Sequence, residues 1–380
     1  MTATVTNNIP FFRHDLGKAE LDAMAEVLAN PILTTGAWVA RFERRFADYL
    51  KAKHALGVTS CTGALHLALL ALGIGPGDEV ITTPMTFIAS ATAILEAGAK
   101  PVFVDVEPET GNLDARNIEA AITERTRAIL PVHLYGQMCE MRAIRKIADH
   151  YGLKVIEDAA HCVEGTRDGV RTGELGDAAC YSFYATKNLT CGEGGALVTN
   201  DDQLAEKVRL LRLHGMNKNA DDRHREGYKH WDMTVFGWKY NMDNIQAAML
   251  LPQMDRLEDN WRRRRELAEY YEARLWDIPS LSRPKTLPQV EHAQHLFTVW
   301  VGAGKRDHVI SELQKTGVGV MVNYRAIHLL SFFRETFGYK PGDFPVAESI
   351  GDATISLPFY PNMPLEDIER VTEVLGDILH

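Results

Sequence analysis

Apolar residues keep two different periods along the 380-residue chain. From about residue 60 to 200, short β-branched runs alternate with stretches whose apolar positions recur every three or four residues. "DEVITT" (78–83), "PVFVDV" (101–106), "AILPVHLYG" (128–136), "LKVIEDAAH" (153–161), the run at 180–184 and "ALVTN" (196–200) have strand character. Between them lie helical patterns at 62–73, with Thr62 as N-cap and Gly73 past the end, at 87–98, and at 141–152, closing at Gly152. Asn200 or Asp201 caps a further helix. Such alternation predicts βαβ units, hence an α/β fold with a mostly parallel sheet between helices. Residues 38–50 form an N-terminal helix, and 242–277 read as one long helix bent at Pro252. Beyond it, strands at 296–302 and 318–324 and helices at 307–317 and 365–379 alternate on a smaller scale. A large domain over 1–255 and a smaller α+β domain over 256–380 are expected.

Composition narrows the function classes. Hydrophobic residues make up 46% and charged residues 24%, the balance of a globular protein with a core. The net charge of −10 argues against a nucleic-acid partner, so an anionic ligand needs local dipoles or a few cations. The basic run "WRRRRE" (261–266) sits in the long helix with acidic neighbours and is expected on a solvated face. Five cysteines without a C-x-x-C pair predict reduced thiols and a cytoplasmic setting. The opening "MTATVTNNIPFFRHDLG" lacks an apolar h-region, and no run reaches the length of a membrane span, so neither signal peptide nor membrane partner is expected. His133, His161 and His214 show no metal-ligand spacing. "GIGPGD" (73–78) precedes a strand, so it is a turn and not a dinucleotide loop.

Open parallel sheets bind ligands at the carboxyl ends of their strands. Four polar groups fall there. Ser60, Thr62 and Gly63 stand where a strand feeds a helix, either as a phosphate cradle or as an ordinary N-cap. Asp158 closes an apolar strand, where a carboxylate needs a cationic partner or serves as a cap. Phe87 starts a helix and either packs in the core or stacks on a planar ligand. Lys187 follows the next strand; a desolvated lysine attacks carbonyls as a neutral amine, whereas a surface lysine does not. Together the four describe a site for pyridoxal 5'-phosphate, which needs a lysine, an acid facing the pyridine nitrogen and donors for the phosphate.

In "SCTGALHLALLALGIGPGDEVITTPMTFIASATA", "EDAAHCVEG", "CYSFYATKNLTCGEGGALVTN" and "KYNMDNIQAAML" the chain resembles the DegT/DnrJ/EryC1/StrS family of pyridoxal-phosphate-dependent sugar aminotransferases, of fold type I. The resemblance runs over nearly the whole chain. It implies that Lys187 bonds the cofactor aldehyde, Asp158 faces the ring nitrogen, His161 lies near the ring, Phe87 stacks on it, and Thr62, Gly63 and Ser182 hold the phosphate. Asn241 would reach the phosphate in a neighbouring subunit, making the enzyme a homodimer with shared sites. L-glutamate would donate the amino group and leave as 2-oxoglutarate, with pyridoxamine 5'-phosphate between the half-reactions and a nucleotide-linked keto-sugar as acceptor. "NLTCGEGG" and "HGM" look closer to members that aminate C4 of UDP-sugars. Such products serve surface glycans such as lipopolysaccharide, or secondary metabolites. The insert 217–238 offers Arg223, Arg225 and Lys229 to a diphosphate, or is a solvated loop. Tyr324 and His328 fall where the family contacts substrate. Members with histidine at the lysine position are dehydratases; Lys187 argues against that alternative, and the intact site against a non-catalytic regulator.

Overall fold

The computed structural model describes residues 8–217, 230–278 and 280–379. A seven-stranded sheet has the order His54–Val58, Gly195–Thr199, Ala178–Ser182, Lys154–Asp158, Thr126–Ile129, Glu79–Thr82, Lys100–Phe103. Only Gly195–Thr199 runs antiparallel to its neighbours. The strands are buried on both faces, so they read as apolar runs rather than alternations. Successive residues still point oppositely. Leu56, Val58, Cys180 and Leu197 pack with helices Cys61–Ala71 and Asp202–Leu211. Ala55, Ala179, Tyr181 and Val198 pack on the other face with Phe42, Phe46 and Leu250 from helices Ala37–Leu50 and Asn244–Asp255. The helix-sheet-helix sandwich expected from the alternating pattern is therefore present.

A separate apolar cluster joins helices Leu257–Leu275, Arg306–Lys315 and Leu365–Leu379 with strands Phe297–Val301 and Thr354–Leu357. Ile9 enters it through a bridge to Val318.

Several local expectations need correction. The long helix begins at Asn244 and breaks after Arg256, whose φ of −110° leaves the helical range; Pro252 stays inside the first segment. The strand expected at 128–136 ends at Ile129, because Pro131 lacks an N–H and Tyr135 adopts a left-handed turn with φ 59°. Residues 318–324 form single bridges at Val318 and Met321 instead of a strand. Ser60, not Thr62, caps helix Cys61–Ala71. The helix expected from Phe87 starts at Ala89. In the basic run, Arg264 is only 2% exposed, so that face is not solvated throughout. All five cysteines are free and buried.

Candidate active site

The carboxyl ends of the strands carrying Asp158 and Ser182 lie side by side, with Asp158 paired opposite Cys180. They open on a cavity of about 530 Å³, a size suited to a cofactor. Thr62, Phe87, Asp158, His161, Ser182, Lys187 and Tyr324 all line it. One concavity thus gathers residues spread over more than 250 positions of chain.

At one end stands the helix Cys61–Ala71. Ser60 is extended and its Oγ accepts from the Gly63 N–H at 3.0 Å. That bond occupies the Gly63 amide, and Gly63 lies behind the cavity wall against Tyr240. Cys61 and Thr62, whose N–H groups precede the first intrahelical bond, line the cavity at the positive end of the helix dipole. Gly195 permits this approach: a Cβ there would stand 2.4 Å from the Ser60 carbonyl carbon. The Ser182 and Thr62 hydroxyls add donors suited to an anion.

Asp158 is 6% exposed. Its Oδ2 accepts from Ser90 Oγ at 2.7 Å, and Ser90 is in turn bonded to Thr86 at 2.8 Å. Its Oδ1 accepts from the Ala160 N–H at 3.2 Å. Among the described residues no guanidinium or ammonium stands within ion-pairing distance of this carboxylate. A buried anion held only by neutral donors calls for a cation supplied by a ligand.

Lys187 follows a tight turn in which its N–H reaches the Tyr184 carbonyl at 2.9 Å. Burial pushes its amine down to about 8; the negative charge of Asp158 holds it from falling further. At neutral pH a usable fraction is therefore the free nucleophile.

His161 is buried, and its Nδ1 accepts from the Tyr135 N–H at 3.3 Å. Because an amide can only donate, the imidazole proton sits on Nε2 and is offered to Tyr324 Oη at 3.1 Å. Burial, and then the charge of Lys187, hold His161 well below its ordinary value, so it is neutral. The hydrogen of the Tyr324 hydroxyl remains for another acceptor. Phe87 is 55% exposed at the cavity mouth, 6.0 Å from the Tyr324 ring, so it is not a core residue.

Two sequence candidates lie elsewhere. His328 is fully buried, with Nε2 on Glu348 at 3.0 Å and Phe344 against its ring, and does not reach the cavity. Asn241 donates to Thr35 Oγ1 at 2.7 Å and accepts from Lys239, outside its own chain's cavity. Arg223, Arg225 and Lys229 lie outside the described residues. Sequence reasoning missed Ser90, Tyr135, Asn188 and His295. Only Ser90, a hydroxyl on a small-residue helix near a strand end, carried any signal.

The donor set fits a flat, cationic heteroaromatic with an anionic group at one end and a carbonyl at the other: hydroxyls and helix N–H groups, an uncompensated carboxylate, an aromatic rim and an amine.

Residues 14–376 match the DegT/DnrJ/EryC1/StrS aminotransferase family. The chain is 43% identical over 377 residues to the spore coat polysaccharide biosynthesis protein SpsC of Bacillus subtilis, covering 98% of this chain and 97% of that one. It is 40% identical to the GDP-perosamine synthase of Caulobacter vibrioides, covering 92% of each. Among solved structures, DesV of S. venezuelae superposes with a TM-score of 0.88 at 37% identity, covering 94% of this chain and 93% of that one.

Proposed function

Because the chain belongs to the DegT/DnrJ/EryC1/StrS family of pyridoxal-phosphate-dependent sugar aminotransferases, we propose that it transfers an amino group from L-glutamate to C4 of a UDP-linked 4-keto-sugar, for a surface glycan or related amino sugar. The observation that carries this reading is the pairing, in one cavity, of the Lys187 amine lowered to about 8 with the uncompensated Asp158 carboxylate. The wording "NLTCGEGG" and "HGM" supports the C4 and UDP assignments.

Bound pyridoxal phosphate supplies an electron sink for the carbanion at the amino-bearing carbon. The chain does the rest. Thr62, Ser182 and the first amides of helix Cys61–Ala71 would hold the phosphate. Asp158, oriented by Ser90 and the Ala160 N–H, would face the ring nitrogen and hold its proton. Phe87, at the cavity mouth, would cover a ring face. Lys187 would hold the cofactor at its aldehyde end, and its amine is the group placed in the cavity to carry a proton. Neutral His161 orients Tyr324, whose hydroxyl hydrogen is directed to substrate or cofactor. Asn241 points away from its own cavity, which supports a homodimer in which it serves the neighbouring site. Among the described residues no helix is long and apolar enough to cross a membrane.

The test is a panel of UDP-, dTDP- and GDP-linked 3- and 4-keto-sugars with L-glutamate, scored by 2-oxoglutarate release. UDP-4-keto-sugars should give the highest kcat/KM. Faster turnover of another nucleotide or of a 3-keto-sugar would overturn the specific assignment, and silence across the panel would overturn the substrate class.

A further inference from the structure

The run "WRRRRE" hides one residue that does not face water. The Arg264 guanidinium meets the fully buried Glu164 carboxylate. Glu164 lies three residues past His161, and Asn188 directly follows Lys187. The Asn188 Nδ2 donates to Glu164 Oε2 at 2.9 Å and to the Ala293 carbonyl at 3.2 Å. A carboxylate and a carbonyl only accept, so the amide has one possible orientation. Its Oδ1 therefore faces His295 Nδ1, 3.2 Å away, and His295 must donate from that nitrogen. The His295 ring packs on His161 with centroids 4.4 Å apart and planes inclined by 36°.

We propose that Glu164, Arg264 and Asn188 form a buried clamp that positions Lys187 and fixes the proton of His295 where its ring packs on His161, and this rests on the aminotransferase reading above. Four separate segments meet at the clamp: the loop after Asp158, the peptide after Lys187, the helix bearing Arg264, and the segment 293–295 leading into strand Phe297–Val301. A buried ion pair contributes little net stability against an apolar replacement. Its use here is directional, since it dictates the Asn188 amide, which dictates the His295 tautomer. The groups facing His295 are His161, Lys187, Arg264 and His292. Two of them, Lys187 and Arg264, carry positive charge near neutrality, so a second proton on His295 would crowd the cavity floor with cations. Burial and these charges hold His295 well below its ordinary value. Both histidines are then neutral with opposite tautomers: His161 protonated at Nε2, His295 at Nδ1. Asn188, Glu164 and Arg264 do not line the cavity; they act through Lys187 and His295 as positioning residues.

The experiment is nitrogen NMR of the full chain with 15N-labelled histidines, with and without added pyridoxal phosphate, followed by the same measurement on Asn188→Leu and Glu164→Gln. The wild type should show His295 singly protonated at Nδ1 near neutral pH. Protonation at Nε2, or at both nitrogens, would overturn the clamp without any variant. Asn188→Leu, which keeps the Glu164–Arg264 pair, should release that tautomer. It should also lower kcat by about tenfold to a hundredfold, the scale on which a misplaced catalytic group is felt, with a smaller change in KM for glutamate. Glu164→Gln retains an acceptor for Asn188 and should give an intermediate effect. An unchanged His295 spectrum and an unchanged kcat in a folded Asn188→Leu chain would overturn the proposal. The spectroscopic arm needs no turnover, so failure of the clamp and failure of the proposed function give different results.

Discussion

Replacing Lys187 by methionine removes one titrating group from the cavity floor and keeps a flexible chain of similar length in its place. Burial brings this amine from 10.5 down to about 8. The gap of 2.5 units corresponds to about 3 kcal/mol that the fold loses by holding the ammonium in its pocket. The sign follows from proton counts. Between pH 8 and 10.5 the unfolded chain binds the lysine proton and the folded chain does not. Stability from this group therefore rises with pH across that window, and the full penalty is present below pH 8. Unfolding by urea of the cofactor-free wild type and of Lys187→Met, at pH 7 and at pH 10, isolates the effect. Methionine adds a constant offset, while Cys61 and other alkaline groups titrate in both chains. The variant's stability advantage should shrink by roughly 2.5 kcal/mol from pH 7 to pH 10. An advantage that stayed constant, or grew, with pH would refute the desolvated amine. The same shift makes about one amine in ten neutral at pH 7, about 300-fold more than for a free lysine, which is what a nucleophile at this position requires.

Three further outcomes are expected. Asp158→Asn keeps an acceptor for the Ala160 N–H, turns an NH2 toward the Ser90 hydroxyl and removes the anion; kcat should fall by about 10²-fold or more, and the pH dependence of reductive alkylation at Lys187 should move to lower pH because Asp158 raises that amine. Arg264→Met alone leaves Glu164 buried without its cation and should cost about 3–5 kcal/mol by denaturant titration, whereas adding Glu164→Leu should recover most of the loss. Phe87→Ala, at an exposed position, should change stability by less than about 0.5 kcal/mol yet weaken cofactor binding by about tenfold in an equilibrium titration.

Legibility in the sequence tracked how local each signal is. The strands ending at Asp158 and Ser182 are buried almost throughout, so their apolar stretches and their polar terminators stand out in any window. Lys187 was visible because it breaks that pattern. The break at Arg256 instead of Pro252 was not, since a helix can carry a missing N–H for a turn while packing decides where it bends. Gly63 carries the right residue type for an anion cradle, yet the Ser60 hydroxyl takes its amide. His328 stands four residues from Tyr324 in sequence, but the turn between them sends one to the cavity and the other to Glu348.

By itself the sequence determined the sandwich, the strand ends that carry Asp158 and Lys187, and the family, because these depend on periodicity and on ordered short motifs. Only the tertiary structure decided the protonation states and the supporting contacts. Arg264, Glu164, Asn188 and His295 span more than 130 positions and carry no common period. Their meeting is a property of packing, and a buried charge takes its meaning from the groups that surround it in space.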